Sequence, residues 1–276
     1  MTRSTQGRTA SGELKLPPFD PSVPNPARMW NYWLGGKDNF AADRELADRV
    51  LEAMPSMPAI ARAARLFLID AVRQLASDHG IRQFLDIGTG LPTADNTHDV
   101  AQQAAPDARI VYVDHDPVVL SHARALLTSS PEGSTEFVQA DLRDTGAILA
   151  EAARTLDFRR PVAILLIAVL HFIPDADDPH AIVARLMKAV PSGSYLVMAH
   201  AASDIAPEAS AEMARRYNQM SSTPITPRDR AQVARFFDGL DMAPPGLVPI
   251  SQWGLSGQID TTVGGLVGYC GMGRKP

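Results

Sequence analysis

Asp86-Ile87-Gly88-Thr89-Gly90-Leu91-Pro92-Thr93 follows a short apolar run at 84–87 and precedes a helical pattern at 97–104. An apolar run that ends in a glycine turn and then enters a helix is how a strand leaves the edge of a parallel sheet. Glycine there reaches positive φ and lets the backbone come close to a ligand. The chain beyond Gly80 repeats this pattern. Strands are predicted at 110–113, 137–138, 162–167 and 195–198, and helices at 97–104, 117–127, 144–155 and 179–190. Such alternation implies right-handed crossovers and a mostly parallel sheet with helices on both faces, an α/β fold. The segment 162–167 is apolar at every position, as a central strand buried on both faces should be. Further on, helices are expected near 207–219 and 227–237. Strand candidates at 247–250 and 263–273, with no helix between them, predict a terminal antiparallel hairpin.

Upstream, Pro17, Pro18, Pro21, Pro24 and Pro26 follow a Ser/Thr/Gly-rich start, which predicts a flexible tail over 1–26. Residues 27–80 are expected to form an N-terminal helical cap or arm, and 81–276 the main domain. The cap opens with Met29-Trp30-Asn31-Tyr32-Trp33-Leu34-Gly35-Gly36-Lys37-Asp38-Asn39-Phe40. It ends in an amphipathic helix over 58–77, with Ile60, Ala64, Phe67, Leu68, Ala71 and Leu75 on one face.

Composition narrows the function. The chain has 276 residues, 45% hydrophobic and 21% charged, which fits a globular protein. Its longest apolar run, 162–170, is about half of the roughly twenty residues a membrane span needs. Residues 1–16 carry Arg3, Arg8, Glu13 and Lys15, unlike a secretory signal. The single cysteine, Cys270, points to a reducing cytoplasm. A net charge of −5 without a basic block speaks against nucleic acid, so a small-molecule partner is expected. No His, Cys, Asp and Glu cluster has metal-ligand spacing, so no metal is expected.

The strand ends carry the chemistry. Asp114 closes the second strand 24 residues after Gly90, where nucleotide-binding α/β folds hold the two ribose hydroxyls. His115 lies beside it, and Asp116-Pro117 reads as an N-cap with proline at the first helical position. The competing reading makes both aspartates caps. A dinucleotide site would want a third glycine where Thr93 stands, and Pro92 removes an amide donor. Asp86 would repel pyrophosphate but suit an ammonium group. These features favour S-adenosylmethionine over NAD. Asp141, after the third strand, could accept from the adenine amino group while Leu142 packs on the ring. His171, at the end of the fourth strand, is either a general-base candidate or a satisfied structural histidine. Asn96 or Thr97 reads as a helix cap and His98 as first-turn surface.

Together these strand ends resemble class I S-adenosylmethionine-dependent methyltransferases, with Asp86-x-Gly88-x-Gly90, Asp114 and Asp141-Leu142 as the cofactor motifs. Residues 25–276 further resemble the actinobacterial S-adenosyl methyltransferase family once catalogued as a domain of unknown function (DUF574). That likeness rests on Trp33-Leu34-Gly35-Gly36-Lys37-Asp38-Asn39-Phe40, Gln83-Phe84-Leu85-Asp86-Ile87-Gly88-Thr89-Gly90-Leu91-Pro92-Thr93, Tyr112-Val113-Asp114-His115-Asp116-Pro117, Phe236-Phe237-Asp238-Gly239-Leu240 and Gly273-Arg274-Lys275-Pro276.

The resemblance implies a Rossmann-like seven-stranded sheet with an N-terminal helical cap, and S-adenosylmethionine as cofactor with S-adenosylhomocysteine as product. It names no methyl acceptor. Expected cofactor contacts are Asp86, Gly88, Thr89, Gly90, Asp114, His115, Asp141 and Leu142, with Gly35 and Gly36 allowing close approach of the cap. Tyr32 and Trp33 are expected to face methyl or substrate, the competing reading being that they anchor the arm on the core. Tyr32 and His171 are the catalytic candidates. Two other readings stay open here: a protein that senses S-adenosylmethionine without transferring its methyl, and a nicotinamide oxidoreductase.

Overall fold

Asn25 sets where the first helix begins. In the computed structural model, which describes residues 20–254 and 267–276, its side chain accepts from the amides of Ala27 and Arg28, and Pro26 takes the first helical position. Helix α1 (Pro26–Trp33) therefore starts at the residue where the predicted tail ends, and 1–19 of that tail lie outside the described residues. Two more helices follow, α2 (Ala41–Ala53) and α3 (Met57–Ser77). The apolar stripe of α3 buries Phe67, Leu68, Ala71 and Leu75, as its periodicity requires.

The sheet begins at β1 (Gln83–Ile87). It continues with α4 (Thr97–Ala104), β2 (Arg109–Asp114), α5 (Pro117–Leu126), β3 (Ser134–Gln139), α6 (Thr145–Ala152), β4 (Ala163–Ile167), α7 (Pro179–Ala189) and β5 (Tyr195–Ala201). These five strands pair in parallel in the order β3-β2-β1-β4-β5. Ala163, Ile164, Leu165 and Leu166 of β4 are fully buried, which accounts for that strand's uninterrupted apolar sequence.

After α8 (Pro207–Met220) and α9 (Arg230–Ala234), the chain forms two short strands, β6 (Asp241–Met242) and β7 (Val248–Pro249). The last strand, β8 (Gly268–Arg274), inserts antiparallel between β5 and these two. The predicted hairpin partners 247–250 and 263–273 thus meet through β7 and β8, although 263–266 lie outside the described residues. The final sheet position is shared by β6 and β7, and two residues of β6 are too few to leave a periodic signal. Among the described residues no helix is long and apolar enough to cross a membrane.

Trimming the central strand should be costly. Leu165→Ala removes most of a fully buried side chain, and urea unfolding is expected to show a loss of about 2–5 kcal/mol.

Candidate active site

The parallel strands all end on one sheet edge, and the loops that leave β1 and β2 there are tied together by a carboxylate. Asp114 accepts from the amide of Gly90 through Oδ2 (3.0 Å) and from the amide of Asp116 through Oδ1 (2.9 Å). Asp116 caps α5 by accepting from the Val118 amide (2.7 Å). The two aspartates therefore divide as the sequence suggested, one at the sheet edge and one on the helix. Gly88 and Gly90 have φ of +77° and +68°. A Cβ on Gly88 would sit 2.4 Å from Val169 Cγ2, whereas one on Gly90 would enter open space. That space is a cleft of about 340 Å³.

Asp86, Gly88, Thr89, Gly90, Asp114, His115, Asp141 and Leu142 all line this cleft. At one end stands Asp86, 5% exposed and bonded to the Thr97 hydroxyl (2.6 Å). Burial raises its carboxyl to about 6, against the lowering effects of Thr97 and of Arg65. Arg65, on α3, lines the same cleft, and among the described residues only its Nη2 bonds to protein, donating to the carbonyls of Ala94 (3.2 Å) and Asp95 (2.9 Å). Asp141 borders the cleft and accepts from the Arg143 amide (2.8 Å), while Asp144 caps α6. Leu34, Trp30 and Asn31 of the N-terminal segment close one side.

A second, smaller cavity of about 60 Å³ adjoins the cleft and shares Pro26, Trp30, Ala64, Ala168 and Phe172 with it. Ala168, in this dividing wall, has φ +57°, a conformation that a non-glycine residue rarely adopts and that clusters at functional sites. His171 lines the second cavity rather than the cleft. Its ring is 4% exposed, and burial, with His200 and Arg228 nearby, holds its pKa well below the usual histidine range. The ring is therefore neutral at pH 7 and a weak base.

Three expected site residues lie elsewhere. The Tyr32 hydroxyl donates to Asp48 on α2 (3.0 Å), and neither cavity includes Tyr32. Its partner carboxylate draws it along the outer face of the arm, away from the strand-end residues of the cleft. Gly35 and Gly36 line neither cavity. Gly35 has φ +83° just after α1, and a Cβ on Gly36 would lie 2.3 Å from Asn31 Nδ2. The close approach is that of Gly36 to Asn31, within the arm, while a Cβ on Gly35 would meet nothing within 4 Å. Trp33 is buried in the second cavity's wall. His98 is also not surface: it is buried, with its amide donating to the Tyr112 hydroxyl (2.8 Å), while Asn96 is the cap of α4.

Sequence reading missed Arg65, which looked like one more polar residue on an amphipathic helix. It missed Arg28 as well, a buried guanidinium that binds Asp43 (2.8 Å) and lies 3.9 Å from Asp116. Arg28 thereby connects α1 to the loop holding Asp114. The Asn25-Pro26 cap signal could have located its helix.

The sequence pattern of the S-adenosyl methyltransferase family matches residues 13–276. A crystal structure of a DUF574 family protein from Streptomyces avermitilis MA-4680 is 42% identical, with a TM-score of 0.88, covering 93% of this chain and 99% of that one. A Thermobifida fusca YX protein assigned as a methyltransferase is 39% identical with a TM-score of 0.84, covering 92% of this chain and 96% of its own. Human N-acetylserotonin methyltransferase, crystallised with S-adenosylmethionine, shares the fold at 12% identity and a TM-score of 0.50, over 90% of this chain and 70% of that one. No curated protein matches the chain.

The buried Asp86 carboxyl gives a pH prediction. Its folded pKa is raised from 3.8 to about 6, so its contribution favours the fold below about pH 4 and is lost as the pH rises to 6. Asp86→Asn should therefore melt higher than the wild type at pH 7, by up to about 3 kcal/mol in stability, and the gap should close at pH 4. Thermal melts of the ligand-free proteins at both pH values provide the check.

Proposed function

This chain belongs to the S-adenosyl methyltransferase family and is an S-adenosylmethionine-dependent methyltransferase, and we propose how its own residues hold the cofactor and receive the acceptor. The observation that carries the reading is the Asp114 carboxylate, buried at the end of β2 on the cleft floor and joined to the glycine loop of β1. It is the group for the ribose hydroxyls, which donate hydrogen bonds to carboxylate oxygens. His115 borders the same position. Asp141 and Leu142, after β3, take the adenine edge and face.

Asp86 and Arg65 also line the cleft, an anion and a cation that feel each other's charge, and the methionine part of the cofactor carries an ammonium and a carboxylate. Asp86 suits the first and Arg65 the second. The fit extends to the loop: Gly90 leaves the cleft open where any side chain would fill it. Bound there, S-adenosylmethionine supplies an electrophilic methyl on a sulfonium.

What the chain must add is alignment of a nucleophile with that methyl and exclusion of water. Residues 27–80 act as the cap for both purposes over the domain 81–276, with Trp30 and Leu34 on the cleft wall supporting this role. The proposal includes a small-molecule acceptor and a cytoplasmic setting, the latter supported by a single, buried, free thiol at Cys270. The Streptomyces relative supports an actinobacterial origin.

Calorimetric titration tests the assignment. S-adenosylmethionine and S-adenosylhomocysteine should bind the wild type and NAD should not, and Asp114→Ala should weaken both sulfur ligands at least tenfold. Unchanged affinity in that variant would remove Asp114 from the site. Arg65→Met should weaken S-adenosylhomocysteine about 10–100-fold, the loss of charge-assisted hydrogen bonds. The same change should leave 5′-methylthioadenosine, which lacks the amino-acid part, unaffected. An equal effect on both would instead mean that Arg65 only shapes the cleft.

A further inference from the structure

Four charged side chains, all more than nine-tenths buried, meet where the N-terminal arm reaches the loop after β2: Arg28 and Asp43 from the arm, Asp114 and Asp116 from the loop. The arm holds its own half of this group tightly. Asp43, in the first turn of α2, accepts from the amides of Asn25 (2.8 Å) and Phe40 (2.8 Å) and from Arg28 Nε (2.8 Å). One carboxylate thereby fixes the starts of α1 and α2 and the guanidinium between them. Arg28 Nη2 donates to the Val23 carbonyl (2.6 Å), and the Phe40 ring centroid lies 5.3 Å from the guanidinium carbon. Nη1 faces the loop after β2, 3.9 Å from Asp116 Oδ2.

The loop's half is not balanced from within. Asp114 and Asp116 stand two residues apart, and the Asp116 charge makes ionisation of the buried Asp114 harder. Asp86, at the end of β1, is a third carboxyl that feels the Asp114 charge. Among the described residues, two cations form ion pairs with this loop: His115, whose Nδ1 lies 3.6 Å from Asp114 Oδ1, and Arg28. The His115 side chain is more than half exposed, so water and salt screen it, and an imidazole is charged only when protonated. Arg28 is always charged, and it is buried. Ribose hydroxyls donate most strongly to an ionised carboxylate, because charge-assisted bonds are the strong ones. The fixed positive charge that offsets the acids of the ribose loop is therefore supplied by the arm, from outside the nucleotide-binding half of the fold.

We propose that Arg28 is a positioning residue for the ribose: by balancing the Asp116 charge it leaves the Asp114 carboxylate available to the ribose hydroxyls, so that docking of the N-terminal arm completes the cofactor site. The inference rests on the cofactor reading above, which gives Asp114 the ribose. Arg28 itself does not line the cleft, so it acts through Asp116 rather than by touching the ligand. Its neighbours on α1, Ala27, Trp30 and Asn31, do line the cleft, so the helix that brings the cation also walls the site. Such coupling is reciprocal, and a ligand that engages Asp114 strengthens the docking of the arm by the same factor.

The test compares 5′-methylthioadenosine with its 2′,3′-dideoxy analogue, both titrated calorimetrically into the full chain, because their affinity ratio isolates the ribose hydroxyls. The wild type should prefer the ribose form at least about tenfold. Arg28→Met should cut that preference to within about threefold, and Arg28→Lys, which keeps the charge, should retain most of it. Adding Asp116→Asn to Arg28→Met removes the charge that Arg28 balances while keeping a good helix cap, and should restore the preference. A residue that only braces the arm would weaken both ligands alike; an unchanged ratio in Arg28→Met, or no recovery in the double variant, would overturn the proposal. Where Arg28→Met does not fold, because it leaves Asp43 buried without its cation, Arg28→Lys and Asp116→Asn alone decide. Both should keep the wild-type ratio, and a tenfold fall in either would overturn the proposal. Binding of 5′-methylthioadenosine with no preference for the hydroxyls would remove Asp114 from the ribose and the inference with it. Failure of both 5′-methylthioadenosine and S-adenosylhomocysteine to bind the wild type would strike the cofactor reading instead.

Discussion

One carboxylate holds two loops in register, and the candidate site is built around it. Asp114 is buried at the sheet edge, where an isolated negative charge would be poorly solvated. Two backbone amides, from Gly90 and Asp116, offset that cost, one from each neighbouring strand-to-helix loop. The same bonds fix the positive-φ turn at Gly90 and set Asp116 over the first turn of α5. From Asp116 the chain of charge runs to Arg28 and Asp43, so the N-terminal arm is positioned against the same loop. Cleft floor, helix start and cap are thus consequences of a single buried acid meeting its donors.

The parts that could be read from sequence are those governed by local rules. The strand-and-helix alternation from β1 to β5 is written in apolar period and in turn residues, and α4 begins and ends where the pattern indicates, at Thr97 and Ala104. The separate duties of Asp114 and Asp116 followed from proline at position 117, which marks the helix start. Gly88 and Gly90 were legible because a positive φ has few other tenants.

What escaped reading depends on distance. Arg65 enters the cleft because α3 packs on α4 and ties Arg65 to the Ala94–Asp95 turn, and nothing in its own neighbourhood of sequence distinguishes it from Arg62 or Arg73. Tyr32 and Trp33 are adjacent and aromatic, yet one bonds Asp48 on the outside and the other lines a cavity; helix rotation alone separates them. Gly35 and Gly36 line neither cavity for a related reason. The close approach in the structure is that of Gly36 to Asn31, five residues earlier. Burial also reverses roles, as in His171, whose place at a strand end suggested a base and whose surroundings make it a poor one. Ala168 carries no sequence mark at all, although its left-handed backbone stands in the partition between the two cavities.

The position of β8 has a bearing on how the protein is made. Its antiparallel register with β5 covers all seven residues from Tyr195 to Ala201, and its far side receives β6 and β7. Until the ribosome has delivered Gly268–Arg274, β5 therefore presents an open, largely buried-type edge, the kind that invites pairing with another nascent chain. The parallel half, with its glycine loop and Asp114, can assemble during synthesis, but Tyr269 and the adjoining wall of the second cavity arrive only with the last strand. Completion of the sheet and completion of that cavity are thus one event, and a chain that stops short of β8 keeps β5 as an unpaired edge.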